Sequence, residues 1–114
     1  MPGQIEALQG EWIVTEIENV TLFARPNPEL SFEGKTLRGS GPCRTFVAGA
    51  TQNEGRISIA GFTNDGAICD EATMEDQRTF ETALMYADRI EADGDNGVVL
   101  YQGDTFKIRA RRPE

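Results

Sequence analysis

Short stretches that alternate between apolar and polar residues recur along the chain. In residues 56–60, for example, Ile57 and Ile59 share one face. A period of two is typical of a strand with one buried face. Similar runs occupy residues 12–17, 29–33, 35–38, 44–48, 89–93, 98–101 and 105–110, and turn-forming residues separate most of them. This spacing predicts six to eight short antiparallel strands joined by tight turns.

The first and last strands carry predictions about which face is buried. In the first, Trp12 and Val14 lie on one face and Ile13 and Ile17 on the other, which predicts a strand covered on both sides for part of its length. In the last, strict alternation places Phe106, Ile108 and Ala110 on the buried face.

Residues 73–88 are the one segment with helical periodicity. Its apolar stripe consists of Phe80, Ala83, Leu84 and Ala87. Thr73 is a suitable N-cap, and Asp76, three residues later, completes a weakened capping box. The pattern predicts a single helix from about residue 74 to 87, packed on the sheet through this stripe.

The chain has 114 residues and no repeat or linker, which predicts one domain over residues 1–114 with its core at about 8–110. Residues 19–28, which include two prolines, should form a loop, and residues 111–114 a frayed tail. No apolar run approaches the length of a transmembrane helix. The first six residues lack the basic start and apolar run of a secretory leader, so the chain is either cytosolic or was separated from a leader.

Charge and the missing histidine limit the possible functions. Nineteen acidic and eleven basic residues give a net charge of −8. Such a surface repels nucleic acids and anionic lipids, so neither is expected as a partner; solubility is the ordinary explanation, and a cationic partner is the sharper one. Without histidine there is no imidazole base and no histidine-ligated zinc, and two cysteines cannot complete a four-thiolate zinc site.

Two acidic segments could be read as sites. Asp70, Glu71, Glu75 and Asp76 crowd the predicted helix start, where they complement the helix dipole. Residues 93–97, Asp-Gly-Asp-Asn-Gly, begin like a calcium loop, but glycine stands at the fifth position and no closing glutamate follows. A hairpin turn explains residues 93–97 better than a calcium site does. We therefore expect no metal, no cofactor and no enzymatic activity.

Cys43 and Cys69 are the only cysteines. In an oxidising compartment they could join the glycine-rich segment before residue 44 to the turn before the helix. Otherwise they would be two buried free thiols that behave as small hydrophobic residues. The sequence leaves both interpretations open.

The order of these landmarks resembles the META domain family. The matching motifs are Leu8-Gln-Gly-Glu-Trp12 with Gly10 and Trp12, Pro28-Glu-Leu-Ser-Phe32, Ser40-Gly-Pro-Cys-Arg-Thr-Phe46 with the stretch to Gly49, the second cysteine Cys69, and an acidic helix with Phe80 and Leu84. The third motif departs from the family pattern Gly-Cys-Asn, because Pro42 is inserted and Arg44 stands in place of asparagine. Any role of that asparagine is not transferred to this chain.

The resemblance implies an α+β fold, in which a curved antiparallel sheet or partial β-barrel carries one packed helix. It also implies a periplasmic or envelope-associated protein linked to stress tolerance, motility or virulence, with no established catalytic activity. We therefore expect a monomeric, non-enzymatic accessory domain that binds a protein or a small molecule. The alternatives are a carrier of a small apolar ligand inside the barrel and an acidic inhibitor of a cationic enzyme.

The interior composition weighs against the carrier. Its large side chains are Trp12, Phe32, Phe46, Phe62, Phe80 and Phe106, together with the isoleucine and leucine set. These are sufficient to fill a small barrel.

Overall fold

A computed structural model describes residues 8–18, 20, 27–53 and 56–113. These residues form β1 (Gly10–Ile17), β2 (Glu29–Glu33), β3 (Thr36–Ser40), β4 (Thr45–Asn53), β5 (Arg56–Asn64), α1 (Glu71–Tyr86), β6 (Arg89–Asp93), β7 (Gly97–Gln102) and β8 (Thr105–Arg111). Most of the predicted loop at 19–28 lies outside the described residues, as do two residues of the turn between β4 and β5.

All eight strands belong to one antiparallel sheet with the order β5-β4-β3-β2-β1-β8-β7-β6. The first and last strands, β1 and β8, are therefore neighbours in the interior of the sheet. The outer strand β5 approaches the start of β6, since the backbone N–H of Ile57 donates to the carbonyl of Asp88 at 3.0 Å. The result is an open, curved sheet with one helix, which confirms the predicted α+β fold.

The helix α1 joins β5 to β6 and packs against β5 and β8. Its N-cap is Asp70, whose carboxylate accepts hydrogen bonds from the backbone N–H (3.2 Å) and the hydroxyl (2.6 Å) of Thr73. The prediction of Thr73 as N-cap was wrong, because aspartate caps a helix as well as threonine and an earlier start adds backbone hydrogen bonds. The helix ends at Tyr86, one residue before the predicted end.

The core lies between the inner face of the sheet and α1. It contains Leu8, Trp12, Val14, Ile17, Leu30, Phe32, Leu37, Phe46, Ala48, Ala50, Ile57, Ile59, Phe80, Ala83, Leu84, Ala87, Val98, Leu100, Ile108 and Ala110. The ring of Phe80 meets Phe46 edge to face, with centroids 5.8 Å apart. The predicted helical stripe is thus confirmed as the face that packs on the sheet.

β-Bulges change the buried face for one residue in each of the first and last strands. In β1 the register against β8 shifts between Val14 and Glu16, so Ile17 returns to the inner face and is only 4% exposed. In β8 a second shift places Phe106 opposite Tyr101, half-buried and outside the core. A bulge adds one residue to a strand and so reverses the alternation beyond it. The prediction was therefore wrong for Ile17 and Phe106, whereas Ile108 and Ala110 are buried as predicted.

Candidate functional site: two loops joined by a disulfide

A disulfide between Cys43 and Cys69 joins two loops at one end of the sheet. One loop, residues 41–44, connects β3 to β4, and the other, residues 65–70, connects β5 to α1. We call these two segments the braced loops. The Cα atoms of the two cysteines are 6.0 Å apart, within the range that a disulfide spans. Of the two interpretations left open by the sequence, the structure contains the bonded pair.

The side chain of Gln77, fully buried in α1, holds the first braced loop in place. Its Oε1 accepts hydrogen bonds from the backbone N–H groups of Cys43 (3.0 Å) and Arg44 (3.2 Å). Its Nε2 donates to Glu81 at 2.7 Å, and that carboxylate also lies 3.4 Å from Nε of Arg44. Gly41 completes the arrangement, because a Cβ there would lie 2.8 Å from Cδ of Gln77.

Sequence reasoning missed Gln77 although a signal was present. The residue lies three positions before Phe80 and seven before Leu84, and therefore on the same helical stripe. A polar residue on a buried stripe needs hydrogen-bond partners, and here the loop backbone and Glu81 supply them.

Asp65 anchors the second braced loop. Its Oδ1 accepts a hydrogen bond from the N–H of Ala67 (3.0 Å), and its Oδ2 accepts from the N–H (3.3 Å) and hydroxyl (3.0 Å) of Thr45. These hydrogen bonds, that from Ala67 first, hold the pKa of the Asp65 carboxyl below its usual value of 3.8. Just before it, Oδ1 of Asn64 accepts from the N–H of Gly66 at 2.9 Å.

Ile68 lies between these fixed points and points away from the protein. Its side chain is 89% exposed, the most exposed of the large apolar residues in the described part of the chain. Asp65, Asp70 and Glu71 lie within three residues of it, and all three are exposed. The second braced loop thus presents one isolated apolar side chain on an acidic surface.

Two open grooves cross the outer face of the sheet beside the braced loops. The larger, about 310 Å³, is lined by residues that include Glu29, Arg38 and Val47. The smaller, about 260 Å³, shares Val47 with it and ends at Asp65. Phe46 lines both grooves and Leu30 lines the larger one, so each groove borders the core.

Trp12 and Gly10 form a separate structural corner. The indole N–H of Trp12 donates to the carbonyl of Leu8 at 2.7 Å. The guanidinium of Arg112 lies 3.8 Å from the centroid of the Trp12 ring and donates to the carbonyls of Gln9 (2.7 Å) and Glu11 (3.3 Å). Gly10 has φ +100°, a conformation that favours glycine. These contacts and this backbone conformation give the Leu-x-Gly-x-Trp motif a structural role.

The prediction of a frayed tail was wrong for Arg111 and Arg112. Arg111 is the last residue of β8, and the N–H of Arg112 donates to the carbonyl of Asn96 at 2.7 Å. The physical reason is that the Arg112 guanidinium stacks on the Trp12 ring and donates hydrogen bonds to backbone carbonyl groups. Glu114 lies outside the described residues.

The motif positions thus divide into two groups. One group meets in the braced loops and consists of Gly41, Cys43, Arg44 and Cys69. Phe46 instead lies beneath the loops in the core, where the centroid of its ring is 5.3 Å from that of Phe62. In the described part of the chain, no group of three or more His, Cys, Asp or Glu side chains is arranged to hold a metal ion. None of its helices has the length and apolar character needed to span a bilayer.

A family comparison decides the relationship of this chain. The model of the META domain matches residues 5–112. The chain belongs to the META domain family. No match was found among curated proteins.

Solved structures resemble this META domain at low sequence identity. An NMR structure of a protein from Burkholderia xenovorans has a TM-score of 0.71 and 14% identity, over 96% of this chain and 86% of that one. A second NMR structure gives 0.68 and 20%, over 96% and 95%. The crystal structure of a DUF4847-family protein from Bacteroides vulgatus ATCC 8482 gives 0.64 and 16%, over 93% and 94%. At such identities the likeness shows the fold alone.

Proposed function

We propose that this META domain is a non-enzymatic accessory domain that binds another protein through the braced loops. The observation that carries the proposal is the 89% exposure of Ile68 in a loop fixed by a disulfide and by side-chain hydrogen bonds. Burying one such side chain contributes about 1.5–3 kcal/mol. Because the loop is already ordered, little conformational entropy is lost when a partner covers it.

The proposal places the domain in an oxidising compartment such as the bacterial envelope. The disulfide between Cys43 and Cys69 supports this location, since disulfides persist outside the cytosol and are reduced within it. Loops held on a rigid sheet are also the usual position of binding residues.

The polar groups of the braced loops favour binding over catalysis. The Asp65 carboxylate is engaged by Thr45 and Ala67, and the Arg44 guanidinium lies against Glu81. With no histidine in the chain, an activated nucleophile would need a carboxylate or lysine base. We expect no turnover in a broad hydrolase screen; turnover that a single carboxylate substitution abolishes would refute this part of the proposal.

The filled interior gives no support to the carrier alternative. Leu30, Phe32, Leu37, Phe46 and Phe80 are each at most 2% exposed and belong to one continuous core. A ligand inside the sheet would have to displace these side chains, at the cost of their packing.

The acidic setting of Ile68 favours a second candidate, an inhibitor of a cationic enzyme. The net charge of −8 and the carboxylates of Asp65, Asp70 and Glu71 would attract a partner with basic groups around an apolar pocket. The same braced loop would serve as the inhibitory segment.

Photo-crosslinking tests the contact surface. A benzophenone amino acid is introduced at Ile68 in the full chain, and at Tyr86 as a control, since Tyr86 is also exposed but lies at the end of α1. After irradiation of expressing cells, the proposal expects one protein joined to position 68 and not to position 86. Equal products at both positions, or none at 68, would contradict it.

The purified partner then permits a quantitative test. The Ile68→Asp variant should bind at least tenfold more weakly, because a buried apolar anchor typically contributes more than about 1.4 kcal/mol. Met85 also has an apolar side chain and is half-exposed, but it lies on α1. The Met85→Asp variant should therefore bind like wild type. Equal affinity for Ile68→Asp and wild type would exclude Ile68 as the anchor.

A further inference from the structure

Three sulfur atoms meet beneath the braced loops. Sγ of Cys43 is bonded to Cys69 and also lies 3.4 Å from Sδ of Met74. The three residues come from different segments: the first braced loop, the second braced loop and the first turn of α1. All three are half-buried. We propose that, when the disulfide is reduced, Cys43, Cys69 and Met74 form a binding site for Cu(I).

The chemistry of these donors selects the metal. Two thiolates and a thioether are soft ligands, and such ligands favour Cu(I) over Mg²⁺, Ca²⁺ or Mn²⁺. Structural zinc sites require four ligands, commonly including histidine, which this chain lacks. Among the described residues no carboxylate joins these cysteines in a metal-binding cluster, so Met74 supplies the third donor.

Hydrogen bonds, besides the disulfide, fix the backbone positions of Cys43 and Met74. The N–H of Cys43 is bound by the amide of Gln77 at 3.0 Å, and the N–H of Met74 donates to the carbonyl of Asp70 at 3.0 Å. Metal–thiolate bonds of about 2.3 Å in a trigonal site need sulfur atoms about 4 Å apart. Thiols on Cα atoms 6.0 Å apart, beside a thioether at 3.4 Å, reach this geometry through side-chain rotation.

Reduction of the disulfide requires an external dithiol as the electron donor. The dithiol gives two electrons and two protons to the Cys43–Cys69 bond, which breaks into two thiols while the dithiol closes to its own disulfide. Cu(I) then displaces both thiol protons to solvent and keeps its oxidation state. The disulfide form has no thiolate, so the disulfide and the copper site are alternative states of one pair of cysteines. This inference does not rest on the proposed binding function.

The test is an anaerobic titration of the full chain with Cu(I) in competition with the chromophoric chelator bicinchoninate. Dithiol-reduced wild type should bind one Cu(I) per chain, and the oxidised protein none. Met74→Leu should lower the affinity by about tenfold or more, the loss typical when the ligand environment is damaged. Met85→Leu, the same substitution at an exposed position of α1, should leave the affinity unchanged.

Other results would overturn the site. Equal affinity in the Met74→Leu variant and wild type would show that the thioether is not a ligand, and no Cu(I) uptake by the reduced protein would exclude the site altogether. Circular dichroism of each reduced variant checks folding. If Met74→Leu fails to fold, X-ray absorption of copper-loaded wild type decides: three sulfur ligands support the proposal, and two contradict it.

Discussion

Gln77 shows how one buried polar side chain can determine the position of a loop. Its amide satisfies two backbone N–H groups of the first braced loop and reaches Glu81 on its own helix. Leaving a buried donor unpaired costs about 1–3 kcal/mol of stability. Removing these hydrogen bonds therefore destabilises the protein by more than each bond contributes on formation.

The Gln77→Leu variant should therefore lose about 2–4 kcal/mol of unfolding free energy, because it leaves the N–H groups of Cys43 and Arg44 without an acceptor. Urea denaturation of the oxidised protein measures this loss. Gln102→Leu, at an exposed site at the end of β7, is the matched control and should change little. A loss below about 1 kcal/mol in Gln77→Leu would show that the loop finds other acceptors.

Arg112 provides a second test at single-residue scale. Its guanidinium covers the Trp12 ring and donates to two carbonyl groups, whereas the neighbouring Arg111 is exposed. We expect Arg112→Ala to destabilise the protein by about 1–2 kcal/mol. Arg111→Ala should cost at most about 0.5 kcal/mol, as ordinary surface substitutions do. Equal midpoints of thermal unfolding for the two variants would argue against the stacked arrangement.

Among the elements, the loop between β5 and α1 owes its shape to an ionised carboxylate. Hydrogen bonds from Ala67 and Thr45 reach Asp65 from both sides, and they favour the charged form. The loop that carries Ile68 is therefore sensitive to acid.

The pH dependence of stability should reveal this. The folded-state pKa of Asp65 is lowered, so its contribution is fully present above the unfolded value of 3.8 and is lost as the pH falls through the lower folded value. Unfolding free energies of wild type and Asp65→Asn should differ at neutral pH, and the difference should shrink as the pH falls below 3.8. A difference that stays constant over this range would show that ionisation of Asp65 is not coupled to folding.

For the whole molecule, the disulfide is the covalent cross-link of the fold. It joins the loop between β3 and β4 to the loop before α1, across a sequence separation of 26 residues. All eight strands belong to one hydrogen-bonded sheet, and the hydrophobic core contains neither cysteine. The bond therefore adds stability to a fold that the core already specifies.

Reduction should consequently lower the unfolding free energy by about 3–4 kcal/mol while leaving the sheet intact. Denaturant titrations with and without reductant measure the loss, and the Cys43→Ser/Cys69→Ser double variant should behave like the reduced protein in both conditions. Reductant sensitivity that persists in the double variant would point to an effect other than the disulfide.

The fold class followed from local patterns because each pattern reports the burial of one face of one segment. Ile57 and Ile59 on a strand, and Phe80 and Leu84 on a helix, reveal their inner faces without knowledge of any partner. The order of motifs then identified the family. The closeness of Cys43 and Cys69 was one of two open possibilities, because sequence alone does not fix the distance between segments.

Only the tertiary structure decided where distant segments meet. The bulges that turn Ile17 inward and Phe106 outward depend on the register between paired strands, and for Ile17 the partner is the last strand of the chain. Arg112 stacks on Trp12 because β8 returns beside β1, and Gln77 is buried because α1 lies against a loop more than thirty residues earlier. Local periodicity carries no information about such pairings, since their free energy arises from groups that the fold alone brings together.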